Sequence, residues 1–462
     1  MRCRSVLITL TVLAITFGWT SPVSRLCAQD QDKAASEFKF NDIDRQVLED
    51  CNAIDAQYGK KGLLLQDPDL QAYLDSVGKR VLGNRPSPEQ VQFKFRALRD
   101  PMVQAFALPN GSVYVTTGLL SLLESEAQLA GVLGHETAHV FERHGYLENR
   151  SVRKKALTIN ILQIVASAAP VGPNFSQAAL LFGAAVQLGA AVSSQVLVAS
   201  IFGYSREMER QADSDGLKAM TAASYDPTAM ARSFQLLDED SKLEYEPFQG
   251  FYRDHPKLTD RRTFALAYAT TNKPANPING AEKDFLGKVT PAICADIESD
   301  LNSRRERTAV DRATRLTSLF PDVPKYQVLL ADSYRSLGAK AKIPSDDERN
   351  RHGQAEHRKE YFSMTQQEEQ KRLLGKPDGP ATLQANRTQA ETLYKSVLQS
   401  DPTYSQAHRG LGFLYEDEGK YADAAVEYKA YLDLVAGTSI DHLRIERRLA
   451  AMQKVASLSI TH

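Results

Sequence analysis

Within SEAQLAGVLGHETAHVFERHG, His135, Glu136 and His139 form an H-E-x-x-H pattern. Ser125 followed by Gln128 three residues later is a helix-start signature. Leu129, Val132, Leu133 and Val140 then recur at helical spacing, so the sequence predicts a helix through about Tyr146. Residues four apart on a helix stand one above the other, which turns His135 and His139 the same way. Two neutral imidazoles on one face bind Zn²⁺ and leave coordination positions open. Glu136, beside the first, is placed to take a proton from a metal-polarised water and hand it to a leaving amine. That chemistry is hydrolysis of a peptide bond. The competing reading is two histidines on a solvated helix face.

Two imidazoles do not complete such a centre. A third histidine ten residues after the first is ruled out, because that position is Gly145. His144, one step short, points nearly opposite to His135 on a continuous helix and reads as a structural group or a support for a ligand. The other solution is a Glu from a later helix, and YSREMERQADSDGLKAM supplies one. Glu209 and Asp213 are four apart and share a face, Glu209 to bind the metal and Asp213 to accept a ligand imidazole N–H and fix its tautomer. Glu207 competes for the ligand role but faces elsewhere. By itself the segment reads equally as a charged, exposed helix.

HETAH, SREMERQAD and HPKLTDR (His255 to Arg261), in that order, resemble the HtpX-like and CAAX-prenyl-endopeptidase-type family of gluzincin metallopeptidases. The resemblance covers roughly residues 41 to 270 and, more weakly, the rest; the layout is similar to that of the periplasmic beta-barrel assembly-enhancing protease type, a peptidase followed by tetratricopeptide repeats. It implies an α+β zincin-like fold, one zinc per chain held by His135, His139 and Glu209, Glu136 as the base, and Asp213 behind a ligand histidine. It also implies that His255 lies near the metal, as a reversible fourth ligand that keeps the enzyme latent or as an oxyanion stabiliser, a role open to Arg261 too. Without the resemblance, His255 reads as an exposed histidine in a proline turn. Gln211 departs from the family pattern, which usually has Glu before Ala-Asp. The implied substrates are unfolded or misassembled cell-envelope proteins. The rival reading is an assembly chaperone or scaffold that holds clients and rarely cleaves.

The 462 residues carry a formal charge of −1, with 42% apolar and 24% charged side chains, enough for two or three ordinary domains. No basic stripe is present, which argues against a nucleic-acid partner. Arg2 and Arg4 precede an apolar run from Val6 to about Gly18, and a stretch ending Leu26-Cys27-Ala28 follows; residues 1–28 read as a secretory signal peptide, hence a periplasmic protein. A lipoprotein signal acylated on Cys27 and an uncleaved anchor are the alternatives, the run being short for a spanning helix. After cleavage Cys51 and Cys294 remain, able to form one disulfide in an oxidising compartment.

The elements that position the site begin with two amphipathic helices, one from Asn41 carrying Ile43, Val47, Leu48, Cys51 and Ile54, one from Asp67 carrying Leu70, Tyr73, Leu74, Val77 and Val81. VQFKFRAL alternates as a strand; QAFAL and SVYVTTG are two more, joined by Pro-Asn-Gly. Val113 to Thr117 is the expected edge strand, where an extended peptide would add by main-chain pairing. Residues 156–202 are apolar but interrupted by Asn160, Gln163, Gln187 and Gln195, and read as a helical hairpin over the active site, resting peripherally on a membrane; two spanning helices are the alternative. The peptidase domain thus occupies residues 29–270, and residues 271–285 read as a linker. Residues 286–462 read as an all-α tetratricopeptide-repeat-like domain: Leu411, Gly412, Tyr415, Gly419, Ala424 and Tyr428 fit one repeat, Ala390, Tyr394 and Pro402 the one before, and Leu330, Ala331, Tyr334 and Gly338 a helix split from its partner by a charged insert at about 339–384. His352 and His357 fall in that insert and read as solvated. Such a stack offers a concave surface to peptides or a partner protein; an irregular helical domain is the alternative.

Overall fold

The computed structural model describes residues 38–156, 204–240, 258–278, 280–303, 305–339, 380–437 and 439–459. The leader, the apolar hairpin beyond its first residue, His255, and nearly all of the charged insert lie outside the described residues.

Helix α1 (Asp42–Lys60) buries Val47, Cys51 and Ile54. Helix α2 (Pro68–Leu82) starts where the Asp67 carboxylate accepts the Leu70 N–H at 2.8 Å, with proline in its first turn, and buries Leu70, Leu74, Val77 and Val81. Strands β1 (Lys94–Leu98), β2 (Ala105–Ala107) and β3 (Ser112–Thr116) form one sheet in the order β1-β3-β2. β3 is parallel to β1 and antiparallel to β2. The segment expected at the sheet edge is therefore central: Ser112 to Thr116 are paired with β1, and Val113 to Val115 also with β2, while Thr117 already belongs to the next helix. β2 is the marginal strand nearer the site.

Helix α3 (Thr117–Leu122) is followed by α4 (Glu126–Phe141), capped by Ser125, which accepts the Gln128 N–H at 3.3 Å. α4 stops at Phe141 instead of continuing to Tyr146, because Arg143 takes φ 57°, and α5 (His144–Ala156) restarts the helix in a new direction. Then come α6 (Arg206–Ala222), α7 (Thr228–Asp240) and α8 (Leu258–Asn272). α4 and α6 cross at Gly134 and Gly216, where a Cβ on Gly134 would lie 2.9 Å from the Gly216 carbonyl oxygen and one on Gly216 would lie 2.8 Å from the His135 nitrogen. Only glycine at both positions lets the backbones approach this closely.

The C-terminal part is all helical: α9 (Glu282–Asn302), α10 (Glu306–Leu319), α11 (Pro324–Gly338), α12 (Pro380–Ser400), α13 (Ser405–Asp417), α14 (Tyr421–Leu434) and α15 (Ile440–Ser459). Each packs on its successor, α11 on α12 across residues 339–379. Within the segment read as a linker, α8 ends and α9 begins, and the Ile278 N–H donates to the Ser224 carbonyl at 2.7 Å. α9 places Phe285, Leu286, Val289, Ile293 and Ile297 in the same core as α2, α3 and α4. A second core, with Val328, Ala390, Tyr394, Leu411, Tyr428 and Ile445, runs through the later helices. There Gly412 makes room for the Tyr428 ring, 2.4 Å from where its Cβ would be.

Charged groups line the seam between the two parts. Buried Asp296 accepts from the Ser121 hydroxyl, Asp300 pairs with Arg305 at 2.7 Å, and Arg312 pairs with Asp240. Arg315 on α10 donates to the carbonyls of Ser121, Leu122 and Leu123 at 3.0, 3.1 and 2.7 Å, closing the C-terminal end of α3. Cys51 and Cys294 are both buried free thiols. Among the described residues, no helix is long and apolar enough to cross a membrane.

Candidate metal centre

α4 carries His135, Glu136 and His139; α6 carries Glu209 and Asp213 and starts at Ser205, whose hydroxyl accepts the Met208 N–H at 3.4 Å. The glycine crossing, at the residue before His135 and one turn after Asp213, brings these two faces together. The Nε2 atoms of His135 and His139 are 3.1 Å apart; Glu209 Oε2 is 3.4 Å from the first and Oε1 3.7 Å from the second. All three side chains are buried, Glu209 completely. A tetrahedral Zn²⁺ with bonds of about 2.0–2.2 Å separates neighbouring donors by about 3.3 Å, so this two-nitrogen, one-oxygen set fits such an ion in spacing and in donor chemistry. Glu207, the competitor, is exposed. Tyr204, which the sequence did not mark, stacks on His139 with centroids 4.2 Å apart, and its N–H lies 3.4 Å from Glu209 Oε1.

Asp213 Oδ1 stands 3.0 Å from His135 Nδ1. Arg261 from α8 closes on the same carboxylate, its Nε 2.8 Å from Oδ2 and its Nη2 2.6 Å from Oδ1, while its guanidinium lies over the Phe234 ring at 4.5 Å. Burial alone would raise the Asp213 carboxyl, but Arg261 and His135 hold it below the usual range. Burial opposes charging of His135, yet hydrogen bonds to Asp213 and Glu209 raise it to about 9, so a metal ion entering here displaces a proton. Burial pushes the Glu136 carboxyl up to about 7; the His135 ring opposes the rise and the Glu209 carboxylate adds to it. A carboxylate poised near neutrality suits proton transfer in both directions. Glu136 and His135 line a cavity of about 30 Å³ with Ala105 of β2, Val132, Met230, Phe234 and Leu237.

Arg261 therefore sits at the site with its fork engaged by Asp213, and its Nη1 is 3.8 Å from Glu209 Oε2. On one unbroken helix His144 would point nearly opposite to His135, which left it as a structural group or a support for a ligand. The positive φ at Arg143 brings it back, with Nδ1 2.9 Å from His139 Nδ1 and Nε2 3.3 Å from Gln211 Oε1. Gln211 Nε2 in turn donates to Glu142 Oε2 at 2.7 Å. Burial pushes the His144 ring down to about 4, which keeps it neutral at physiological pH. The glycines at 134 and 216 were visible as helix-interior glycines, but nothing in one sequence says that they face each other.

Residues 68–269 match the model of Peptidase family M48. The chain is 30% identical over 206 residues to the mitochondrial metalloendopeptidase OMA1 of Schizosaccharomyces pombe, covering 43% of this chain and 55% of that one. It is 29% identical over 228 residues to the beta-barrel assembly-enhancing protease of Yersinia pestis, covering 48% and 43%. With the metalloprotease LoiP of Escherichia coli it shares 25% identity over 264 residues, 56% of this chain and 94% of that one. The chain spans about half the length of the first of the curated relatives it matches.

Proposed function

Because residues 68–269 are a metallopeptidase domain of family M48, we propose that the whole chain is a zinc-dependent endopeptidase of the cell envelope. The observation that carries this is the meeting of His135, His139 and Glu209 in one buried donor set, with Glu136 next to it in the cavity. Zinc, when bound by these three, polarises the scissile carbonyl and lowers the pKa of water. Glu136 takes the water proton and delivers it to the leaving amine, a two-way task matched to a carboxyl near 7. Asp213 orients His135, and Arg261 holds Asp213 in place. Arg261 and His255 are the candidates for steadying the oxyanion, with His255 alternatively a reversible fourth ligand.

The proposed substrates are unfolded or misassembled envelope proteins, which fits the name of the Yersinia pestis relative. Residues 1–28 would export the chain to the periplasm, residues 156–202 would touch the membrane surface, and the C-terminal helices, read as tetratricopeptide repeats, would hold the client or a partner protein. The test is metal analysis of the purified mature chain alongside cleavage of a denatured protein, with and without chelator. One zinc per chain and chelator-sensitive cleavage are expected. A metal-free chain with chelator-insensitive cleavage would overturn the reading, as would a zinc-loaded chain that binds denatured proteins without cutting them.

A further inference from the structure

The two imidazoles of the centre are held by different means. His135 Nδ1 faces a carboxylate directly, at 3.0 Å. His139 Nδ1 faces another imidazole, His144, at 2.9 Å, and behind it stand Gln211 at 3.3 Å and Glu142 at 2.7 Å. A row of neutral groups that can each donate or accept has two directions open to it. Only one of them leaves a lone pair on His139 Nε2.

The end of the row decides. An ionised carboxylate accepts and does not donate, so Glu142 requires the NH₂ end of Gln211. The amide oxygen then points at His144 Nε2 and needs a donor, which places the His144 proton on Nε2. His144 Nδ1 is thereby an acceptor, and the proton between the two rings belongs to His139 Nδ1. His139 Nε2 is left as a lone pair facing His135 Nε2 and Glu209. Reversing any link sets two acceptors or two donors against each other. We propose that Glu142, Gln211 and His144 form a directional hydrogen-bond row that fixes the tautomer of His139 and so holds its Nε2 ready for the metal, with His144 and Gln211 as positioning residues.

Gln211 is the residue for this place because it meets a carboxylate on one side and an imidazole on the other. A glutamate there would set two carboxylates 2.7 Å apart unless one of them bound a proton. Glu142 is the C-cap residue of α4, one turn beyond His139, so the helix ending at Phe141 supplies both the ligand and the anchor of its support. The positive φ at Arg143 supplies the turn that seats His144 between them.

This inference rests on the zinc reading, and the experiment separates the two. ¹⁵N-histidine-labelled, zinc-loaded full-length protein is examined by long-range ¹H–¹⁵N correlation, and zinc affinity is measured by chelator competition. His139 should show a slowly exchanging Nδ1–H and His144 an Nε2–H. His144→Phe keeps the ring against Tyr204, 5.8 Å away between centroids, but removes both nitrogens. It should weaken zinc binding by about 10–100-fold, the usual cost of losing a ligand's hydrogen-bond partner. Gln211→Met should weaken it less and leave His144 in mixed tautomers, a signature that a merely structural role would not produce. His144 carrying its proton on Nδ1 in the wild type would overturn the proposal. So would unchanged zinc affinity in either folded variant; if His144→Phe does not fold, Gln211→Met and the wild-type tautomers decide. Wild-type protein that binds no zinc would instead defeat the underlying reading of the centre.

Discussion

The α4–α6 crossing and the α13–α14 contact are both helix pairs closed over glycine, and they bury opposite kinds of group. At Gly134 and Gly216 the two backbones meet, and the space beside them holds His135, Glu136, His139, Glu209, Asp213 and Arg261, every one buried. At Gly412 the glycine admits an aromatic ring, and the tyrosines of the stack carry their hydroxyls outward to acids: Tyr428 to Glu416, Tyr431 to Asp441, Tyr415 to Glu391. The stack buries mainly aromatic and aliphatic side chains, and each of these hydroxyls finds a carboxylate partner. The crossing accepts the desolvation of several ionisable groups, tolerable because they face one another. The seam also buries ionisable groups, but only the crossing gathers two imidazoles and a carboxylate into one donor set among the described residues.

The sharpest way to separate the two regions is Glu136→Gln. Turnover of a denatured protein should fall by about 10²–10⁴-fold, the usual contribution of a general base, while zinc stays bound. Loss of zinc along with turnover would mean that Glu136 is needed for the fold of the centre. Removing zinc comes next. With zinc at a thousand times its dissociation constant the ion adds about 4 kcal/mol to stability. Chelation should therefore speed amide exchange in α4 and α6 and leave α13 and α14 as they were; uniform acceleration would show that the two regions unfold as one.

Gly134→Ala and Gly412→Ala form a matched pair. Each should destabilise by about 1–3 kcal/mol, the range for overpacking a tight contact. Only the first should lower zinc content, because it pushes α6 and Glu209 away from the histidines. If Gly412→Ala also strips zinc, the two regions are coupled more tightly than their separate cores indicate. The smallest effect concerns the seam. Burial raises Asp296 to about 6 and Asp300 well above its ordinary value. A carboxyl raised in the folded state stabilises below its unfolded pKa and loses that contribution as pH rises through about 6. Asp296→Asn should therefore raise the melting temperature slightly at pH 8, and the gain should shrink as pH falls through 6. A gain that grows on acidification would contradict the assigned direction.

The facing pairs were legible because helical periodicity is local: spacing of four places His135 over His139 and Glu209 over Asp213, whatever the rest of the chain does. Strand character was legible at 94–98, 105–107 and 112–116 for the same reason. Pairing order was not, since nothing within SVYVT says that it takes a partner on both sides. The end of α4 was missed because a positive φ at an arginine has no composition signal. Which ligand His144 would support depended on that turn. Arg261 was identified as a site residue from its place in HPKLTDR, but its closure on Asp213 depends on α8 lying over α6, a tertiary fact.

Arg315 lies far along the chain from His135 and His139, yet its guanidinium completes the short helix that leads into theirs. During synthesis, the segment bearing His135 and His139 emerges from the ribosome well before this arginine does. Until α10 arrives, three carbonyls at the entrance to α4 must be served by water, and the apolar side chains of α9 are missing from the shared core. The surroundings of the candidate centre are thus completed by residues that follow it in the chain.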